Sequence, residues 1–248
     1  MAKSSVMQES KRSLGHVPES RRPALRELVD TLERVGHDSV LGVCAFGGWL
    51  AEDPFFAGAA RSVVVLRRLD VGLVERLAVE GPRLGELSLA APLLMTPEYV
   101  RDSCDVFPLE LLEIQQQHVL LAGAGSFGSL TFDPRHVRLA CEREFKSELI
   151  ELRQGLLATA GRFTLLHQLC LDCLERSARI MRGLLHLDGE PAPQRLSRTI
   201  ERVAERTGVT LGMHARLATV HDDLGLEGFR RFYSELEALA AHADALPH

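Results

Sequence analysis

The chain lacks the features that mark a protein for a membrane or for export. No apolar run approaches the roughly 18 residues that indicate a membrane span. The first 23 residues, MAKSSVMQESKRSLGHVPESRRP, are polar and basic and contain no apolar segment typical of a secretion signal. We therefore predict a cytoplasmic protein with no membrane partner.

Lysine is scarce, and the cysteines do not form a disulfide pattern. Lysine occurs only three times among the 29 basic residues, which we interpret as a coding bias. Five cysteines are an odd number and are scattered along the chain, which excludes a disulfide framework. A net charge of −5 and a pI near 6.1 argue against bulk electrostatic binding of nucleic acid.

The chain does have the composition of a globular protein. Its 248 residues are 46% hydrophobic and 25% charged, which excludes a disordered or collagen-like chain. This length is enough for one large domain or for two smaller ones. The sequence contains no internal repeat.

Short apolar runs alternate with helical patterns as far as residue 123. Residues 1–22 are predicted to be a flexible tail. Strands are predicted at 39–46, 61–69, 87–95 and 118–123. Helices are predicted at 23–36, 70–81 and 96–117, the last broken near Pro108. This alternation predicts an α+β or α/β domain over 23–129, with a mixed or mostly parallel sheet.

Beyond residue 129 the pattern is almost entirely helical. Asp133 and Pro134 are typical of a helix N-cap followed by a proline in the first turn. Helical patterns cover 135–161, 163–189, 195–207 and 225–245. We predict an all-α helical bundle over 130–248, and we expect a homodimer because bundles with an exposed apolar stripe often associate.

The segment 41–70, LGVCAFGGWLAEDPFFAGAARSVVVLRRLD, shows a buried strand, two glycines, a loop and a second apolar strand. With the preceding helix and the segment FPLELLEIQQQHVLLAG (107–123), this order resembles the nucleotidyltransferase fold of the DNA polymerase beta superfamily. The resemblance is to the small bacterial type, such as kanamycin nucleotidyltransferase, which has a C-terminal helical domain.

The resemblance implies a particular metal-dependent site. In that family the first strand ends in Gly-Ser, whose backbone amides and hydroxyl hold nucleotide phosphates. An Asp-x-Asp pair on the next strand binds two magnesium ions, and a third carboxylate on a later strand completes the site. Magnesium requires this density of oxygen ligands.

The metal-binding positions implied by the resemblance carry no carboxylates in this chain. The expected acids fall near Ala59 and Arg61, and an arginine stays protonated at any working pH. The third predicted strand has no acid, although Glu86 directly precedes it, and Glu52 and Asp53 lie in the loop. These three are the candidate catalytic carboxylates. We predict no metal site and no cofactor, with magnesium required only if the chain is an active enzyme.

The candidate ligand site is the turn that stands in place of Gly-Ser. Gly47 and Gly48 offer backbone amides to an anion, Arg61 a counter-charge, and Trp49 a ring that stacks on a base. The alternative for the two glycines is a tight turn that holds no ligand, and for Trp49 a packing anchor.

These observations favour a pseudoenzyme, a nucleotidyltransferase-like protein that has lost catalysis and serves a binding or regulatory role. The expected partner is a nucleotide or small ligand in a cleft between the domains, or another protein. Two alternatives stay open. One is an active magnesium-dependent nucleotidyltransferase that modifies a small molecule, a protein or RNA, and the other is a helical interaction module.

Three further patterns have structural alternatives that we favour. Cys170 and Cys173, with His167 nearby, have a zinc-like spacing, but on a helix they are typical core residues. Arg179 and His186 resemble the arginine–histidine element of HEPN-type helical ribonucleases, although Ile180 and Met181 after the arginine are typical of a core.

The acidic pair Asp222–Asp223 forms the third pattern. It is a candidate cation site and, in the favoured interpretation, caps the last helix.

Overall fold

The computed structural model describes residues 14–125, 127–160, 162–220 and 224–247, without the side chain of Phe163. The strands are β1 (Val40–Phe46), β2 (Arg61–Leu66), β3 (Leu93–Met95) and β4 (His118–Gly123). The helices of the first half are α1 (Arg22–Gly36), α2 (Val71–Glu86), α3 (Pro97–Asp102) and α4 (Pro108–Gln116). Those of the second half are α5 (Pro134–Thr159), α6 (Phe163–Leu187), α7 (Leu196–Thr207), α8 (Gly212–Leu217) and α9 (Gly225–Ala245).

The four strands form one mixed sheet in the order β3-β2-β1-β4. Strand β1 is antiparallel to both β2 and β4, whereas β2 and β3 are parallel. Helix α2 makes the connection between the two parallel strands, as such a connection requires a crossover. The run Val63–Leu66 is fully buried, which fits its unbroken apolar sequence. The predicted mixed sheet is confirmed.

The predicted tail differs from the structure. Residues 1–13 lie outside the described part, but Leu14 and Val17 are buried in the same core as helix α1. Arg22 donates from Nε to the carbonyl of Val17 at 3.0 Å, which fixes this segment beside the helix. Burial of two apolar side chains explains why residues 14–22 are part of the folded unit instead of a tail.

The chain divides into two compact units. The first comprises residues up to Cys104 together with Glu113–Thr131, and the second comprises Asp105–Leu112 together with Phe132–His248. The predicted domain boundary between residues 129 and 130 stays a prediction; in the structure residues 105–112 and 132–248 form the second unit.

The helical unit forms around the pair α5 and α6, with α9 packed against both. Helix α5 begins as predicted, because the Asp133 carboxylate accepts the N–H of Arg135 at 2.9 Å and Pro134 occupies the first turn. Its core side chains include Phe145 and Leu152, which are fully buried, as are Leu174 of α6 and Phe232 of α9. No helix in the described ranges is long and apolar enough to cross a membrane.

Candidate functional site

The turn after β1 is built by backbone hydrogen bonds around Gly47. This residue has φ of 104°, which favours glycine because a side chain is strained there. Its N–H donates to the carbonyl of Gln117 at 2.9 Å, and its own carbonyl accepts the N–H of Leu50 at 3.1 Å. A 3₁₀ turn, Gly48–Ala51, follows directly. The geometry of the turn alone therefore accounts for Gly47.

The ring of Phe56 covers Gly48. A Cβ atom added to Gly48 would lie 2.2 Å from Cδ2 of Phe56, far inside van der Waals contact. Phe56 ends a short 3₁₀ turn, Pro54–Phe56, and its ring packs edge-on against Phe55. The space that a serine side chain would need at this position is thus filled by an aromatic ring.

Trp49 belongs to the core of the first unit. Its side chain is buried, and its indole N–H donates to the carbonyl of Phe46 at 2.8 Å. A buried ring with an internal hydrogen bond fits the packing-anchor interpretation. In this arrangement Trp49 has no exposed face on which a base could stack.

Arg61 lies at the turn and pairs with a buried carboxylate. Its Nη1 is 3.1 Å from Oε1 of Glu113, and its guanidinium lies 4.4 Å from the ring centroid of Phe46. The Arg61 side chain is 39% exposed, whereas that of Glu113 is only 6% exposed. Both Nη1 of Arg61 and Oε1 of Glu113 are within 4 Å of a Cβ placed on Gly47, so the pair borders the turn.

Sequence reasoning missed Glu113. The signal for it is a carboxylate inside the apolar stretch LLEI, residues 111–114, where burial requires a partner. No spacing rule identifies that partner, because Arg61 is 52 residues away along the chain.

The candidate carboxylates occupy separate structural roles. Asp53 is buried and accepts the N–H of Phe55 at 3.0 Å, so it caps the turn that carries Phe56. Glu52 is exposed and has a left-handed backbone, with φ of 52°. Glu86 is exposed at the last residue of α2, and β3 begins only at Leu93. The predicted strand at 87–95 is therefore too long, and Glu86 does not directly precede it.

The residues at the start of β2 do not provide ligands for magnesium. Ala59 offers no ligand, and a guanidinium has donors but no acceptor for a cation. Within the described ranges, no three His, Cys, Asp or Glu side chains come together in a way that could hold a metal ion. Asp222–Asp223, the other acidic candidate, lie outside those ranges.

The zinc-like spacing on α6 brings two thiols into the bundle core. Cys170 and Cys173 are free and fully buried, and burial raises the pKa of the Cys170 thiol to about 12. The Sγ atom of Cys173 lies 3.5 Å from Oε2 of Glu148 and 3.9 Å from Oγ of Ser177. These contacts and the raised pKa fit the favoured interpretation as core residues.

The ribonuclease-like pair on α6 also has structural partners. Arg179 lies 3.4 Å from a carboxylate oxygen of Glu110 and 4.0 Å from one of Glu144. His186 packs edge-on against Phe132, with ring centroids 6.1 Å apart, and burial lowers its pKa. Arg179 is thus engaged by two carboxylates of its own unit.

Comparisons with known proteins support a fold and no closer kinship. No protein-family profile and no curated sequence matches the chain. Its structure is similar to that of spectinomycin adenyltransferase AAD(9) from Enterococcus faecialis, solved with ATP and spectinomycin. The TM-score is 0.59 at 10% identity, covering 90% of this chain and 98% of that one.

A weaker structural match concerns a nucleotidyltransferase-like protein from Exiguobacterium sibiricum 255-15. Its TM-score is 0.39 at 12% identity, covering 88% of this chain and 74% of that one. The first similarity extends over both compact units, since it covers 90% of this chain. The chain therefore has the nucleotidyltransferase fold.

Proposed function

We propose that this chain is a nucleotidyltransferase-like protein that has lost nucleotidyl transfer and serves a binding role. The observation that carries the proposal is Arg61 at the first residue of β2, where the resemblance implies a metal-binding carboxylate. A guanidinium keeps its positive charge at working pH and repels a divalent cation. Its ion pair with Glu113 also engages a buried carboxylate beside the turn.

The packing of Phe56 supports the same proposal. Nucleotide phosphates in the family are held partly by a serine hydroxyl, and here the Phe56 ring covers Gly48 at that position. Asp53 is engaged in the cap that holds the Phe56 turn, so recruiting its carboxylate to a metal would release that turn. Catalysis through Glu52, Asp53 or Glu86 would thus require a different local structure.

One residue at the turn, the partly exposed Arg61, is suited to binding an anionic ligand. An anionic group such as a nucleotide phosphate that reaches Gly47 would meet this guanidinium and compete with Glu113 for it. We expect such binding to be weak and independent of metal. The alternative, in which the chain is a helical interaction module, predicts that this turn binds no ligand.

Nucleotide binding without metal tests the proposed ligand site. Thermal unfolding is followed with increasing ATP in the presence of EDTA, for the wild type and two variants. Ligand that binds the native state raises the melting temperature. We expect a small rise for the wild type, a larger one for Glu113→Gln, which frees the guanidinium, and none for Arg61→Ala. An equal rise in wild type and Arg61→Ala would contradict a role for Arg61.

The cofactor, the cellular location and the oligomeric state are proposed from the sequence alone. No metal cofactor is included, and the cytoplasmic location and the homodimer stay predictions. Magnesium-dependent transfer of a nucleotidyl group by the purified protein would return the chain to the active-enzyme alternative.

A further inference from the structure

The outer face of helix α2 is apolar and acidic. Val71 and Val79 are 73% and 78% exposed and lie eight residues apart on the outer side of the helix. Glu75 and Glu86 lie on the same side of the helix as these valines, because they follow Val71 by four and fifteen residues. We call the row Val71, Glu75, Val79 and Glu86 the α2 stripe. Both glutamates are exposed and form no ion pair in the described part of the chain.

The outer face of helix α5 is apolar and basic. Ile150 and Leu157 are 51% and 81% exposed and are seven residues apart on one side of the helix. Arg143 and Arg153 share this side and are both exposed. Among the described residues Arg143 forms an ion pair only with its neighbour Glu144. Arg153 donates from Nε to the hydroxyl of Tyr233 at 2.6 Å and lies 5.7 Å from its ring centroid, so it has no carboxylate partner in the described part of the chain.

The two stripes match in order, spacing and charge when the helices run antiparallel. Val71 then meets Leu157, and Val79 meets Ile150. Along α2 the stripe from Val71 to Glu86 spans about 22 Å, and along α5 the stripe from Leu157 to Arg143 spans about 21 Å. Every apolar residue faces an apolar one.

The charged positions complete the match. In the same register Glu75 faces Arg153, and Glu86 faces Arg143. Each acidic residue of α2 therefore meets a basic residue of α5. By contrast, two α5 stripes placed against each other would bring arginines together without an acidic partner, which disfavours an α5–α5 contact.

We propose that a second copy of this chain docks its α5 stripe, Arg143–Ile150–Arg153–Leu157, on the α2 stripe, Val71–Glu75–Val79–Glu86. This surface is separate from the Gly47 turn, so the inference does not depend on the proposed function. Exposed ion pairs are screened by salt, so the association is weak and decreases as ionic strength rises. Two reciprocal contacts produce a closed dimer, and one contact per copy produces a longer chain of copies.

Sedimentation velocity of the full chain at 1–100 µM in low salt tests the contact. We expect the wild type to form dimers or larger species as concentration rises, and Glu86→Arg or Arg143→Glu to weaken this at least about fivefold through like-charge contact. The double variant Glu86→Arg/Arg143→Glu restores the opposite-charge pair and should associate as the wild type does. A positive charge at the C-terminal end of α2 favours the helix, so Glu86→Arg does not weaken association by unfolding it.

Glu98→Arg is the matched control, because it makes the same charge change at an exposed residue of the same unit, on α3. It should associate like the wild type. A wild type that stays monomeric at 100 µM in low salt overturns the proposal. A double variant as weak as the single variants, or a control as weak as Glu86→Arg, overturns it as well.

Discussion

The carboxyl group of Glu148 is a single residue whose burial sets a pH dependence of stability. It is only 3% exposed on α5, where Oε2 accepts from the Ser177 hydroxyl at 2.5 Å. Its Oε1 has no hydrogen-bond partner among the described residues, and Nε of Arg176 is 3.7 Å away. Burial raises the pKa of Glu148 to about 7, although Ser177, Arg176 and Cys173 oppose the rise and Glu151 adds to it.

We predict that Glu148→Gln stabilises the protein above neutral pH. The pKa of Glu148 in the folded state lies above its ordinary value of 4.5. Below pH 4.5 the carboxyl is protonated in both the folded and the unfolded state, so it does not change the free energy of unfolding. Above pH 7 the folded state carries the full free-energy penalty of a buried charge. This penalty is about 3 kcal/mol. Urea unfolding should show similar stability for variant and wild type near pH 4.5, and a variant more stable by about that amount at pH 8.

The control for this prediction is Glu175→Gln, an exposed glutamate on α6. Its stability relative to the wild type should not change between pH 5 and pH 8. If the difference between Glu148→Gln and the wild type were the same at both pH values, the Glu148 carboxyl would not be the buried acid described here.

Some residues of the candidate site could be predicted from the sequence and others could not. The Gly47 turn and the place of Arg61 beside it follow from the strand pattern, because a buried strand that ends in two glycines must turn there. The partner Glu113 and the ring of Phe56 over Gly48 do not follow, because both depend on tertiary packing between segments that no local spacing relates.

Among the elements, the short helix α8 is held by one carboxylate of α9. Glu235 accepts the N–H groups of Met213 and His214 at 2.8 and 3.0 Å, and Nδ1 of His214 donates to it at 2.7 Å. His214 is fully buried and stacks on Phe232 with centroids 4.3 Å apart. Burial acts to raise the pKa of Glu235, but these hydrogen bonds lower it overall.

We predict that Glu235→Gln destabilises the protein by about 3 kcal/mol at pH 7, because three charge-assisted hydrogen bonds are lost or weakened. The folded-state pKa is lowered, so this contribution is present above pH 4.5 and disappears as pH falls through the folded value. Urea unfolding measures the loss, and hydrogen exchange should show it at the amides of Met213 and His214.

The matched control is Glu237→Gln, an exposed residue two positions further along α9. Its effect should stay within about 0.5 kcal/mol. Equal losses for the two variants would show that Glu235 does not hold α8 in place.

The lengths of α2 and β3 show where element prediction from sequence fails. The helical pattern predicts an end at Gly81, but α2 continues through Pro82 to Glu86. Leu84 is buried in the sheet-side core, and Arg83 pairs with Glu27 and Glu80, so tertiary contacts outweigh the two helix-breaking residues. As a result the predicted strand at 87–95 shrinks to Leu93–Met95, whereas β4 forms over the predicted residues 118–123.

For the whole molecule, the two proposals concern different surfaces of one nucleotidyltransferase fold. Arg61, the first residue of β2, places a guanidinium where the family resemblance implies metal-binding carboxylates. The α2 and α5 stripes share no residue with that position, and their apolar residues are exposed. The proposed loss of transfer and the proposed self-association are therefore separable, and a variant at one set of residues should leave the other property unaffected.

A nucleotidyl transfer assay tests the proposed loss of catalysis most directly. Purified protein is incubated with labelled ATP, magnesium and spectinomycin, the ligands of the structurally similar adenyltransferase, with that enzyme as the positive control. We predict no labelled spectinomycin and no labelled protein, because Arg61 stands where a carboxylate would bind the metal. Magnesium-dependent labelling that Glu52→Gln or Asp53→Asn abolishes would contradict this prediction and establish an active enzyme.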